Sequence, residues 1–224
     1  MNDPTKRPLP APDVDPDRDP DPNAADTRAA LLAAGRKLFA RGGYDGTSVR
    51  SITGEAGANL GAVTYHFGSK EGLYRAVLDG VLGPLADRIA RAVAGEEPVL
   101  VRVDRVVRTY IQALAANPDL PHLLLQEIAA GKLPPAPVLE MLTRVAGLLR
   151  GLMVEGQERG EIRAGDPLLL ALSLVSQPVY LALVRRAAHH LSGADPFAPE
   201  TLDALEDHVA GIAVAGLAAP PETP

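Results

Sequence analysis

The chain has 224 residues, 46% of them hydrophobic and 22% charged, which is ordinary for a globular protein with enough apolar surface for a real core. It contains no cysteine, which excludes a disulfide scaffold, a Cys-ligated zinc, an iron–sulfur cluster and a cysteine nucleophile. The net charge of −6 excludes coating nucleic acid by bulk charge but leaves room for one local basic face.

Met1 to Pro22 holds seven of the 21 prolines and alternates them with aspartate. Such a run has no apolar stretch of the kind a secretory signal needs, and it cannot bury enough surface to offset its own ordering. Residues 1–25 therefore read as a disordered acidic tail. Residues 26–80 are the only segment with a positive balance, seven basic against five acidic side chains. They also carry five of the eight aromatics: Phe39, Tyr44, Tyr65, Phe67 and Tyr74. A small N-terminal module ahead of a larger aliphatic one follows from composition alone.

Periodicity is helical almost throughout. Leu31, Leu32, Gly35, Leu38 and Phe39 make one buried face, with Asp26 or Thr27 as the cap and Gly42-Gly43 as the stop. Thr47 or Ser48 caps a second helix, Val49 to Ala56, and Gly57-Ala58-Asn59 breaks it. A short third helix spans Leu60 to about Thr64. Ser69 caps a fourth that starts at Lys70 and bends at Gly83-Pro84. Further helices are predicted over Val99–Ala116, Leu120–Gly131, Pro137–Gly160, Pro167–His190 and Pro199–Leu217. No strand or repeat is evident, so the fold class is all-α. Leu168 to Val184 is the most apolar stretch. It is interrupted by Ser173, Ser176, Gln177 and Pro178 and falls short of the ~20 residues a membrane span needs, so it reads as a bundle helix.

Two short helices joined by a three-residue turn containing Gly57 form a helix-turn-helix pattern, whose second helix enters the DNA major groove. Taken alone, that pattern also occurs in helical hairpins that touch no DNA. The surrounding words are more specific. Leu38-Phe39-Ala40-Arg41-Gly42-Gly43-Tyr44-Asp45-Gly46-Thr47-Ser48-Val49, then Ala56-Gly57-Ala58, then Tyr65-His66-Phe67-Gly68-Ser69-Lys70-Glu71 resembles the TetR/AcrR family of bacterial repressors. Asn59 to Tyr74 is similar to its CerR-like branch. The likeness covers about residues 26–80. It implies a DNA-binding head over 26–72, a helical ligand-binding and dimerisation domain over 73–219, a short tail over 220–224, and homodimers released from operator DNA by a ligand. Four positions depart from the family's usual residues: Gly35, Gly54, Thr53 and Ser51. The two glycines cost up to ~1 kcal/mol each in a helix, which is expected to loosen the head.

In this reading Thr47 and Ser48 offer hydroxyls or backbone N–H groups to phosphate, or simply cap their helix. Asn59, Leu60, Gly61, Ala62 and Val63 lie on or near the recognition helix. Asn59 and Ala62 are expected to face the groove, while Leu60 and Val63 are expected to pack inward. Tyr65 and His66 reach phosphate, Phe67 is core, and His66 lacks partners for a metal. Lys70 sits in the first turn of its helix, where a cation opposes the dipole and makes sense only facing an anion.

Only Tyr110, Tyr180 and Phe197 are aromatic beyond residue 80, so the ligand pocket is expected to be aliphatic with a few polar anchors. Candidate anchors are Arg102, Tyr110, His122, Gln126, Glu127, Arg144 and Gln177. Leu202, Leu205, Val209, Ile212 and Gly216 step by helix-seam spacing and are the expected dimer interface. No cofactor or metal is expected. The partners are double-stranded operator DNA, a second copy and a small apolar effector, in the cytoplasm with no membrane. The competing reading is an all-α enzyme or binding bundle that only resembles a regulator, but no catalytic constellation recurs at a usable spacing.

Overall fold

A computed structural model describes residues 22–129 and 134–220. The expected acidic tail up to residue 21, the end of the predicted Leu120–Gly131 helix, and residues 221–224 lie outside the described residues. Among the described residues ten helices follow one another: α1 (Pro22–Gly42), α2 (Val49–Glu55), α3 (Ala62–Phe67), α4 (Lys70–Val93), α5 (Val99–Ala116), α6 (Leu120–Ala129), α7 (Ala136–Glu158), α8 (Pro167–Leu183), α9 (Arg185–Ser192) and α10 (Pro199–Leu217). The only β feature among the described residues is an isolated antiparallel bridge between Ile162 and Ala218. The all-α expectation holds.

Several boundaries move for local reasons. α1 is already helical at Pro22, so Asp26 and Thr27 lie inside it; proline suits a first turn, where its missing N–H is not needed. α3 starts at Ala62 because Asn59 to Gly61 form a turn in which the Ala62 N–H donates to the Asn59 carbonyl. α4 runs without interruption through Gly83-Pro84. Gly80, Gly83 and Pro84 all lie on its exposed side, where the carbonyl that proline leaves unpaired is open to solvent. The predicted Pro167–His190 helix is two helices, α8 and α9, bent by 66° around Val184.

α1 and α3 pack on α4, α2 packs against α1 and α3, and α4 also packs on α5 and α7. Leu73, Val77, Leu78, Leu82, Leu85 and Ile89 form one buried stripe along α4, so the same helix supplies core to both modules. The expected boundary after residue 72 therefore falls within a shared element. Gly35 belongs to this packing. A Cβ there would lie 3.3 Å from Val77 Cγ2 and 3.5 Å from Leu73 Cδ2, so the glycine admits α4 against α1 rather than loosening the head. Gly54 has open space around its missing Cβ and no such role. A second tie joins the modules: Arg36 Nη2 donates to Asn117 Oδ1 at 2.8 Å.

The far end of α4 is fastened by α5. Arg105 Nε donates to the Ala92 carbonyl and Arg105 Nη2 to the Ala94 carbonyl, each at 3.0 Å. Arg102 Nη1 donates to the Val93 carbonyl at 3.2 Å. Helix C-terminal carbonyls have no partner within the helix and carry partial negative charge, so guanidinium groups suit them twice over.

α10 packs along α5. This turns part of the expected dimer seam inward: Val209 is 1% exposed, and Leu202 and Leu205 are half-buried against the core. Ile212 and Gly216 face outward. The first three members of the expected seam serve the monomer's core, because the apolar stripe of α5 needs a cover.

Candidate nucleic-acid interface and ligand cavity

The head is organised around Phe39, Tyr44 and Tyr74, with ring centroids 4.7 Å apart for Phe39–Tyr74 and 5.1 Å for Tyr44–Tyr74. The turn between α1 and α2 closes on Thr47. Its hydroxyl donates to the Gly43 carbonyl at 2.8 Å and to the Leu38 carbonyl at 3.2 Å, and the residue is buried. The expected open hydroxyl at Thr47 is therefore absent. Ser48 is the N-cap of α2: its Oγ accepts from the Ser51 N–H at 3.0 Å, and Ser51 Oγ accepts from the Ser48 N–H at 3.1 Å. Ser51, which departs from the family's usual acidic residue, completes a capping box.

Gly57, with φ +65°, makes the turn into α3, and the Ala58 N–H donates to the Thr53 carbonyl at 2.9 Å. α3 then packs Ala62 and Val63 inward. Two expectations reverse here: Ala62 is core rather than groove-facing, and Leu60 is 62% exposed rather than packed. Leu60 precedes the helix instead of opening it, so the inward stripe starts at Ala62. Asn59, Leu60, Gly61, Thr64 and Tyr65 form the open surface of the turn and α3, with Tyr65 80% exposed. Thr64 is an addition; a helix shifted by two residues places it there. His66 is half-buried, its ring centroid 4.8 Å from that of Tyr65. Phe67 is half-buried beneath the Arg28 guanidinium, 5.1 Å from the ring centroid.

Ser69 caps α4 by accepting from the Gly72 N–H at 3.0 Å. Lys70 follows, with its ammonium 4.2 Å from the Tyr44 ring centroid. The aromatic face steadies a cation at a helix start where the dipole alone opposes it. On the other flank Lys37 pairs with Glu55 at 2.5 Å, which ties α1 to α2 and holds the Glu55 carboxyl below its ordinary range through that hydrogen bond.

Family models match both halves of the chain. Residues 31–77 match the bacterial regulatory proteins of the tetR family, and residues 100–212 match a tetracyclin repressor-like C-terminal domain. The chain belongs to the TetR family. The transcriptional repressor KstR2 of Rhodococcus jostii is 25% identical over 201 residues, covering 86% of this chain and 92% of its own. Two solved TetR-family structures share the fold. The ketosteroid regulator KstR2 of Mycobacterium tuberculosis has a TM-score of 0.70 at 20% identity, covering 86% of this chain and 95% of its own. FadR of Bacillus subtilis, solved in complex with stearoyl-CoA, has a TM-score of 0.65 at 19% identity, covering 84% and 98%. These relatives are transcriptional regulators, and this TetR-family chain is read as one.

The TetR-type C-terminal domain encloses a cavity of about 390 Å³ between α4 and α8, lined by Leu85, Met141, Val145, Leu149, Ala171 and Val179 among others. The sequence-based anchors scatter. Tyr110 lines the cavity. Arg102 does not: it is buried at the far end of α4 and paired with Glu155, whose carboxyl it holds below the ordinary range. Arg144 pairs with Asp87 at 2.8 Å on the surface. His122 is exposed on α6 and does not line the cavity. Gln177 lines a separate cleft of about 230 Å³ between α8 and α10, together with Ser173, Ile212 and Gly216. The side chains of Gln126 and Glu127 lie outside the described residues. The cavity is apolar, as expected, and Tyr110 is the one expected anchor that lines it; Arg102 and Arg144 do not, because long polar side chains on amphipathic helices reach other partners first.

Proposed function

We propose that this chain is a cytoplasmic, ligand-responsive repressor that binds double-stranded operator DNA as a homodimer and leaves it when a small, largely apolar effector fills the cavity. The observation that carries this reading is the open surface of Asn59, Leu60, Gly61, Thr64 and Tyr65, a row that the head's own packing leaves unused. Ser48, the N-cap of α2, and Lys70, in the first turn of α4, add groups suited to phosphate. The dimer would form on the outward face of the last long helices, where Leu168, Leu169, Leu172 and Tyr180 of α8 and Ile212 of α10 are exposed. Two heads so joined must present α3 about 34–36 Å apart to reach successive major grooves. Coupling has two routes from the cavity to the head: Leu85 on α4 lines it, and α6, which supplies Pro121 and Leu124, begins just beyond Asn117, the partner of Arg36.

The test is fluorescence anisotropy with the DNA upstream of the protein's own gene across a salt series. Lys70→Ala should weaken every sequence alike and make the log K against log salt slope shallower by about one unit per chain. Asn59→Ala should change base preference instead. An unchanged slope for Lys70→Ala removes the phosphate assignment, and failure of the unmodified protein to prefer any sequence removes the reading.

A further inference from the structure

Among the described residues the wall of the ligand cavity is apolar except at two side chains, Tyr110 and Ser176. Ser176 is already spent, its hydroxyl donating to the Ser173 carbonyl at 2.9 Å. Tyr110 is not. It is 7% exposed on α5, lines the cavity, and has no hydrogen-bond partner among the described residues. A phenol this deep in a fold normally finds a partner, and Tyr110 Oη, which is bonded to nothing yet not fully sealed off, is open to one. No charged side chain lines the cavity among the described residues: Arg144 is held by Asp87 outside, and Arg102 by Glu155 at the far end of α4. An ionised carboxylate placed inside would therefore be unpaired in an apolar medium.

We propose that the effector is an uncharged, mainly hydrocarbon molecule with one acceptor oxygen, such as a ketone or ester carbonyl, that receives the hydrogen bond of Tyr110 Oη. This rests on the ligand-responsive reading above and narrows its ligand class. Burial pushes the Tyr110 pKa well above that of free tyrosine, so the hydroxyl is a neutral donor at every working pH. The mouth suits entry of an apolar molecule, since Leu125 and Leu172 line the cavity and are also partly open to solvent. A pure alkane would gain the apolar contacts but leave Tyr110 unpaired, and a fatty acid would have to bind protonated.

A matched set separates these classes: dodecan-2-one, methyl dodecanoate, dodecane and dodecanoate, each displacing Nile red from the full-length protein at a pH where the acid is ionised. The ketone and the ester should bind at least tenfold more tightly than the carboxylate. Tyr110→Phe should lower affinity for the ketone about tenfold, the size of one hydrogen bond to a buried group, and leave dodecane unchanged. The variant removes only an oxygen that bonds nothing, so its melting temperature should equal or exceed that of the unmodified protein. Tight binding of the carboxylate, equal ketone affinity in Tyr110→Phe, or no binding by any of the four overturns the inference. Operator anisotropy in the presence of each compound tells the two proposals apart. Tyr110-dependent binding that leaves DNA affinity untouched sinks the coupling but keeps the ligand chemistry; DNA release by the carboxylate alone does the reverse.

Discussion

Gly156→Ala is a severe test of the packing at the corner where α7 ends. Gly156 is buried, and a Cβ there would lie 2.6 Å from both Cγ1 and Cδ1 of Ile162 and 2.9 Å from Val99 Cγ1. Comfortable carbon contacts are ~3.5–4.0 Å, so all three overlaps approach an ångström. Neither neighbour yields freely: Val99 is fully buried at the start of α5, and Ile162 is held beside the bridge to Ala218. Overpacking of this kind costs ~1–3 kcal/mol, while alanine recovers up to ~1 kcal/mol of helix propensity. The net expectation is a loss of ~1–2 kcal/mol, or roughly 2–8 °C in melting temperature for a chain of this size. Ile162→Ala alone removes buried methylenes and costs ~2–5 kcal/mol. In the Gly156→Ala background it should cost distinctly less, because it relieves the clash, and the double-mutant cycle reads that coupling. Gly151→Ala on the same helix, where a Cβ meets nothing within 4 Å, supplies the control and should stabilise. Gly156→Ala at or above the unmodified melting temperature, or strict additivity with Ile162→Ala, would refute the argument.

Two further outcomes follow. Ile212, 48% exposed, and Val209 sit on the same helix but serve different surfaces: Ile212→Glu should give a folded monomer by light scattering that no longer binds operator, whereas Val209→Glu should fail to fold, and a dimeric Ile212→Glu variant would rule out the α8–α10 face. Asp195 takes the hydrogen bonds of Arg185, which hold its carboxyl below the ordinary 3.8, so the stability it lends α9 is present above that pH and is lost as pH falls through the lowered value. The amide protection factors of α9, corrected for intrinsic exchange, should therefore fall only below pH 3.8, with Asp195→Asn abolishing that step; protection that is unchanged by acid, or by Asp195→Asn at neutral pH, would show that the pair does not anchor the helix.

Most of the helices were legible in the sequence, because apolar spacing and Gly/Pro punctuation are local signals; α5 and α10 have the expected ends. What failed was the choice of which face of a helix looks where. Leu60 reads as core by type and Ala62 as a small groove residue, yet a two-residue shift in the start of α3 exchanges them. Val209 reads as a seam between copies because nothing local says that α10 covers α5. Gly35 reads as a weak point until the approach of α4 is known. Tyr110 was one of seven candidate anchors, and only the placement of Arg102 and Arg144 in ion pairs elsewhere singles it out.

The fastening of the last carbonyls of α4 by Arg102 and Arg105 gives that helix a mechanical advantage. Leu85, where α4 meets the cavity, lies ~12 Å from Val93 along the helix axis, and Lys70 lies ~35 Å from it, at 1.5 Å per residue. A stiff rod held at its Val93 end multiplies displacement by the ratio of those arms. An effector that shifts Leu85 by ~1 Å would therefore swing the head's end of α4 by ~3 Å, and in the proposed two-fold dimer the heads would move apart by up to twice that, a marked change against the ~34–36 Å spacing of successive grooves. Loosening the pivot wastes that gearing: with Arg105 removed, the same occupied cavity would slide the whole helix instead of swinging it, and the protein would bind its ligand and keep its DNA.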